Sequence, residues 1–294
     1  MTAPDLCAVC AGGALRFSFR RNGLEFRECR DCGCAFLAPA SAAGVRYDAA
    51  YFDSLRSNSE SCRRSNAREQ VRLLARFASG RPGRLLDVGC GLAEFLAQAE
   101  EAGWRVSGCD LPRPPGEAPP DGRWENRIRR GAPETWRYDP GSFDAVTAFG
   151  VLEHAADPGE LLRRMAGWLR PGGLLMLTTP SLTSWSARLM GRFWPHFHRE
   201  HLTYFTERAL RALLERHGFG GIRSYSWRRV VTLEFMLEQA DRYFPDWTPG
   251  AVAGVLRRLP ESARSFPLRL PSGSVGLVAR AERAQGASKS AKTR

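Results

Sequence analysis

Lysine is almost missing from this 294-residue chain: of 43 basic residues only Lys289 and Lys292 are lysines, and the rest are arginines. Against 31 acidic residues they give a formal net charge of +12, which alone would suggest a nucleic-acid binder. The arginines are scattered, in stretches such as "LLRRM", "RALLER" and "RIRRG", and scattered charge reads as a solvated surface rather than a basic groove. Also absent is any apolar run long enough to span a bilayer. The opening "MTAPDLCAVC" has no basic region followed by an apolar stretch, so no secretory leader is expected and a cytoplasmic location is. No internal repeat is present. With 43% apolar and 25% charged residues, the chain suits one full-sized core and a small accessory module.

Cysteine, by contrast, is plentiful and clustered. Five of the eight lie within the first 34 residues, a distribution that points to metal or free thiols more than to disulfides. Cys7-x-x-Cys10 and Cys29-x-x-Cys32 form two knuckles separated by eighteen residues. Each can place two thiolates on one face of a turn, and four thiolates in a tetrahedron make a closed, structural Zn2+ site. Gly33 suits the positive φ that such turns need. Between the knuckles, "ALRFSFR" and "LEFRECR" alternate around Asn22-Gly23, a hairpin signal. Residues 1–40 are therefore expected to be a zinc-ribbon-like β module, with Cys34 a spare thiol.

Residues 41–79 read as a connector, helical over 60–79, ending at the breaker "GRPG". Then comes "RLLDVGCGLAEFLAQAEEAGWRVSGCDL". Leu85–Val88 suits a central parallel strand, Gly89-Cys90-Gly91 a tight turn, Ala93–Ala102 a helix ending at Gly103, and Trp104–Cys109 a second strand. Asp110 closes that strand where a ribose hydroxyl would need an acceptor. A dinucleotide turn would run G-x-G-x-x-G, but position 94 is Glu94 and the turn opens with an acid, Asp87. That acid suits a cationic amino-acid ligand better than a pyrophosphate.

On these residues the stretch resembles the class I S-adenosylmethionine (SAM)-dependent methyltransferases. "LLDVGCGLAEFL" resembles their first motif, and "GSFDAVTAFGVLEHAADPGELLRRMAGWLRPGGLLMLTTP" their fourth strand, next helix and fifth strand. Small-molecule and sugar methyltransferases with an N-terminal "C-x-x-C…C-x-x-C-G" module look similar, and the ubiquinone-type O-methyltransferases share "VLEH…DP". The resemblance covers roughly residues 5–227. It implies an α/β, Rossmann-like seven-stranded sheet with strand seven antiparallel, spanning residues 80–281. Phe143–Phe149 would be strand four, Leu174–Thr178 strand five, Ile222–Trp227 strand six and Ser274–Ala281 strand seven. It also implies that Asp87, Gly89, Cys90 and Gly91 line the methionine end of SAM, Asp110 its ribose, and Phe149 and Gly150 its far side. Two departures stand out. "LPRPPGEAPPDGRW" replaces the usual helix between strands two and three, leaving Leu111, Ala132 and Glu134 as the residues named for the adenine. Ala93 stands where many members have glycine, with little effect expected from so small a side chain.

In this fold the acceptor sits above the C-terminal strand ends, where the segments after strands four and five supply contacts. The first carries Glu153-His154. The second, residues 181–205, is aromatic-rich, reads as a lid, and holds "PHFHREH" with three of the chain's five histidines. His196-x-His198 with His201 could chelate a metal beside Glu200, but the spacing is not H-E-x-x-H. A base or substrate contact is the favoured reading, structural packing of the rings the other, with His201 first and His198 and His154 next. His217 is read as a helix-end residue favouring the dipole. Residues 228–273 form an insertion with a helix over Val231–Phe244, its Leu233, Met236 and Leu237 on one side, packing on the lid or on a second subunit. The tail 282–294 is expected to be disordered.

The expected function is methyl transfer from SAM to oxygen or carbon of a small molecule, a sugar or secondary metabolite, by a monomer or homodimer without membrane contact. Two other readings stay open: an RNA base methyltransferase with a zinc module, and a non-catalytic protein binding SAM or a partner.

Overall fold

Asn22 and Gly23 both take positive φ, 48° and 72°, the geometry of a two-residue turn whose twist matches its flanking strands. They fold Leu15–Arg21 (β1) onto Leu24–Cys29 (β2), and Ala35–Leu37 (β3) pairs antiparallel with β2. The computed structural model describes residues 6–13, 15–42, 56–112, 122–124, 126–243 and 250–282. The tail beyond Glu282 and most of the proline-rich stretch, residues 113–121, lie outside them. Among the described residues no helix is long and apolar enough to cross a membrane.

Glu60–Phe77 (α1) starts at Ser59, whose hydroxyl accepts from Cys62 N and so satisfies one unpaired amide of the first turn. Its buried Cys62, Ala67, Val71 and Leu74 form the inward stripe. Arg84–Val88 (β4), Glu94–Glu101 (α2) and Arg105–Asp110 (β5) follow as the expected parallel unit. The end of the stretch read as a connector, α1, is a helix packed against α2. Leu85, Leu86 and Val88 are fully buried, so this strand is covered on both faces and does not alternate, with Asp87 the one polar side chain among its buried residues.

Ile128–Arg130 (β6), Phe143–Phe149 (β7), Pro158–Trp168 (α3) and Leu169–Pro180 (β8) extend the sheet. After Trp185–Met190 (α4) and Thr203–Tyr204 (β9), Glu207–Arg216 (α5) leads into Phe219–Tyr225 (β10). Arg228–Thr232 (β11), Leu233–Tyr243 (α6), Gly250–Arg257 (α7) and Pro267–Pro271 (β12) precede the last strand, Ser274–Ala281 (β13). The sheet order is β10-β13-β8-β7-β4-β5-β6, with β13 antiparallel to both neighbours. This is the seven-stranded arrangement with one reversed strand that the motifs implied. Strand six lies earlier than expected, at Phe219–Tyr225, and strand five is longer.

Two segments differ from their sequence reading. The 181–205 insertion, read as a lid, is tied down: β9 pairs with β3, and Trp194, Phe197 and Tyr204 are buried against Phe19, Leu24, Phe26 and Leu37. Phe197 alone meets Phe19, Phe26, Trp194 and Tyr204 with ring centroids 4.7–5.6 Å apart. Burial of each such ring stabilises by roughly 1.5–3 kcal/mol. In the second insertion the helix begins at Leu233, not Val231, because Val230, Val231 and Thr232 pair with β12. Asn66 fixes that hairpin, donating to Val230 O at 2.9 Å and accepting from Val230 N at 2.7 Å. Phe235 and Leu237 are buried while Met236 is 40% exposed, so of the side expected to pack, Leu237 faces inward and Met236 does not.

Candidate cofactor and acceptor site

The turn after β4 depends on glycine. Gly89 and Gly91 have φ of +69° and +50°, in the region that L side chains disfavour. A Cβ on Gly89 would stand 2.5 Å from Val151 Cγ2, whereas one on Gly91 would meet nothing within 4 Å. The loop is therefore tight on its sheet side and open at Gly91. Gly89 N and Cys90 N both donate to Cys109 O, tying the turn to the end of β5. There Asp110 accepts from Gly91 N at 2.7 Å and from Leu111 N at 2.8 Å. Ala93 carries an unexpected strain, since its φ of 65° is left-handed. A non-glycine residue there costs about 1–2 kcal/mol, which its buried methyl offsets by about 0.8 kcal/mol.

Asp87 is buried beneath this turn and accepts from Thr147 Oγ1 at 2.6 Å. Burial pushes its carboxyl up to about 7, against the lowering effect of the Thr147 hydrogen bond. Such a group is stabilised in its ionised form by an incoming cation. Phe149 and Gly150 close the β7 side. Phe149 packs edge-on against Phe95 at 5.0 Å, and Gly150, with φ +69°, donates to Thr178 O. Cys90 is buried, and burial holds its thiol well above the usual range. Ala132 precedes and Glu134 lies within the short turn Pro133–Thr135 after β6, and both are exposed.

Beyond Gly150 the chain makes a 3-10 turn, Leu152–His154. Glu153 is 2% exposed, and its Oε2 has no hydrogen-bond partner among the described residues. Burial raises this carboxyl to about 7. Leu202 N donates to Glu153 O at 2.8 Å, which brings the insertion's histidines over the turn. The His154 and His201 ring centroids are 4.7 Å apart, and those of His198 and His201 3.8 Å. Burial, then the neighbouring His198, lowers His154 to about 4 and pushes His201 well below its ordinary value. His217 caps α5 as expected, but burial lowers it too, weakening any charge interaction with the helix end.

At the other end of the chain, Cys7, Cys10, Cys29 and Cys32 converge, their Sγ atoms all within 4.8 Å of one another. Cys7–Cys32 and Cys10–Cys29 are each 3.6 Å, far longer than a disulfide. Cys10 N and Gly12 N point at Cys7 Sγ and Cys10 Sγ at 3.4 Å. Thr206 Oγ1 donates to Cys32 O at 3.0 Å while capping α5 by accepting from Ala209 N, locking the second knuckle to the larger domain. Cys34 is buried.

The sequence-predicted residues thus fall into three groups: the turn with Asp87, Asp110, Leu111, Phe149 and Gly150; the histidines; and the four cysteines. Thr147 was not singled out, and Glu153 and Glu200 were named only as neighbours of His154 and of the histidine cluster. Thr147 lies inside a strand and pairs with Asp87 only across the sheet. Glu153, adjacent to His154, could have been found as a carboxylate at a strand end.

Residues 62–223 match a methyltransferase domain family. The chain is 34% identical over 134 residues to a ubiquinone biosynthesis O-methyltransferase of Caulobacter sp., covering 42% of this chain and 52% of that one. It is 36% identical over 111 residues to one from Xanthomonas campestris, covering 35% and 45%. It therefore spans about half the length of the curated relatives it matches. The YcgJ protein of Bacillus subtilis superposes with a TM-score of 0.53 at 15% identity, over 74% of this chain and 99% of that one, a likeness of fold. With the seven-stranded sheet and the glycine turn in place, the chain belongs to the class I S-adenosylmethionine-dependent methyltransferase family.

Proposed function

We propose that this protein transfers a methyl group from SAM to a hydroxyl oxygen of a small molecule. The observation that carries the reading is Glu153, a buried carboxylate with one oxygen unpartnered among the described residues, in the turn just beyond Gly150. The O-methyltransferase names of the relatives support it. When bound, SAM supplies a methyl group already activated on a sulfonium. The cradle fits it: the opening at Gly91 admits a ligand to the backbone, and Asp110 offers carboxylate oxygens at a strand end. We assign Asp87, Gly89, Cys90 and Gly91 to its methionine end, Asp110 and Leu111 to its nucleoside, and Phe149 and Gly150 to its far side.

The protein's own task is alignment, exclusion of water and removal of one proton. Glu153, near neutrality, is matched to accepting a hydroxyl proton. His201, the residue favoured from sequence, is a poor base, since burial already disfavours its cationic form. It joins His154 and His198 as the wall above the acceptor. His198 is oriented by Glu200, its Nδ1 lying 2.8 Å from Oε2.

Cys7, Cys10, Cys29 and Cys32 are assigned a structural Zn2+. The 3.6 Å sulfur separations suit a tetrahedral site with Zn–S of about 2.3 Å, whose ligands would lie about 3.8 Å apart. The decisive experiment is calorimetric titration of SAM into wild type and Asp87→Ala. Tight binding by wild type and none by a folded Asp87→Ala is expected; equal affinities would remove the cofactor assignment.

A further inference from the structure

The "H-x-H-x-x-H" string lies on no helix, yet a coordinating nitrogen from each of His196, His198 and His201 lies within 4.8 Å of the other two. Nitrogens around a tetrahedral ion at about 2.0–2.1 Å would stand about 3.3 Å apart. The three rings are also prepared in the same way. His201 Nδ1 is 2.9 Å from His196 O, His196 Nε2 is 3.3 Å from Ser272 O, and His198 Nδ1 is 2.8 Å from Glu200 Oε2. A carbonyl or carboxylate oxygen can only accept, so each of these nitrogens carries the proton. The lone pairs are then on Nε2 of His201, Nδ1 of His196 and Nε2 of His198. Metal-binding histidines have this arrangement: the second nitrogen donates to an oxygen and fixes tautomer and ring plane.

The scaffold is rigid where such a site needs rigidity. Phe197, between the first two histidines, is locked in the aromatic cluster. Tyr204 OH donates to His198 O at 3.0 Å and accepts from His198 N, clasping that residue's backbone. Trp194 lies tilted against His196 with ring centroids 4.6 Å apart, and its own Nε1 donates to Ser186.

We propose that His196, His198 and His201 bind one divalent late-transition-metal ion of the Zn2+ class. Imidazole donors select such metals, and three protein ligands leave a position open for a small oxygen ligand. The site is separate from the four cysteines. His201 also sits within 4.8 Å of Glu153 and His154 by their ligand atoms, so the open position adjoins the acceptor end. That role in turnover rests on the methyltransfer reading, whereas metal binding is testable without it.

The test loads chelator-stripped full-length protein with Co2+ and with Zn2+. Wild type should bind two ions per chain, one giving the intense near-ultraviolet thiolate absorption and one only the weaker visible bands of nitrogen ligands. His198→Gln and His196→Gln, each with a wild-type melting curve after Zn2+ loading at the cysteines, should bind one ion with thiolate absorption alone. Glu200→Gln should weaken the second ion about 10–100-fold. One ion per wild-type chain, or a second ion retained by both histidine variants, overturns the proposal. SAM titration of the same samples keeps the readings apart: failure of wild type to bind SAM would end the methyltransfer reading and leave the metal count unchanged.

Discussion

Glu153 illustrates how much one buried carboxyl can control. Its value near 7 in the fold, against about 4.5 for an ordinary glutamate, means the folded state holds its proton more tightly than the unfolded chain does. The stabilisation from that proton is complete below about pH 4.5 and disappears as pH rises through 7. Glu153→Gln, which keeps the uncharged shape, should match wild type near pH 5. By pH 8 it should be the more stable by about 3 kcal/mol, read from denaturant midpoints of the SAM-free protein. The same variant should lose at least about 100-fold in turnover with SAM affinity little changed. A variant no more stable than wild type at pH 8 would show that Glu153 is ionised and paired in solution. Glu153 sits in "LEH" in plain view, but its burial and its oxygen left without a partner among the described residues are features of the folded chain, where Leu202 N also bonds to Glu153 O. Asp87 was readable from its place before Gly89; its partner Thr147 was not.

Elements were legible wherever a local signal ends them. The Asn22-Gly23 turn, Thr206 as a helix cap, and β13 at Ser274–Ala281 all fall where their residues dictate. Boundaries failed where pairing is long-range. Val231 and Thr232 continue the helical spacing of the following residues, but pairing of Val230–Thr232 with Pro267–Arg269 makes them a strand. Met236 was misplaced because the spacing alone leaves open which edge of the apolar stripe is covered, and here Phe235 and Leu237 are buried while Met236 is exposed. The insertion's aromatics were read as a lid because sequence does not show what they touch. Phe197→Ala should lower stability by about 3–5 kcal/mol, as for other buried phenylalanines, and release the histidine segment. A melting temperature within a degree or two of wild type would mean the segment is held by other contacts.

At the scale of the whole molecule, the N-terminal module is welded to the catalytic end rather than tethered to it. β3 pairs with β9, Thr206 bonds Cys32 O, and Arg208 reaches Asp31 O. Removing the proposed Zn2+ should therefore do more than loosen residues 1–40. Chelation, or Cys29→Ser, should lower the melting temperature and also raise the apparent Kd for the methyl acceptor. Loss of zinc with acceptor affinity unchanged would show that the module is a passive appendage. SAM should raise the melting temperature of wild type with a logarithmic dependence on its concentration, and of Asp87→Ala not at all.

The sequence by itself determined the sheet's parallel half, the glycine turn with its two flanking acids, and the cysteine spacing. In each case the signal is local: buried strands are mostly apolar, a positive φ calls for glycine, and a knuckle needs two thiols three residues apart. Only the tertiary structure decided what "PHFHREH" is. Its three rings converge because Phe197 and Tyr204 are buried against the hairpin and because His196 O, Ser272 O and Glu200 fix the ring planes. Those partners lie as far as 76 residues away in the chain, beyond the reach of any local spacing.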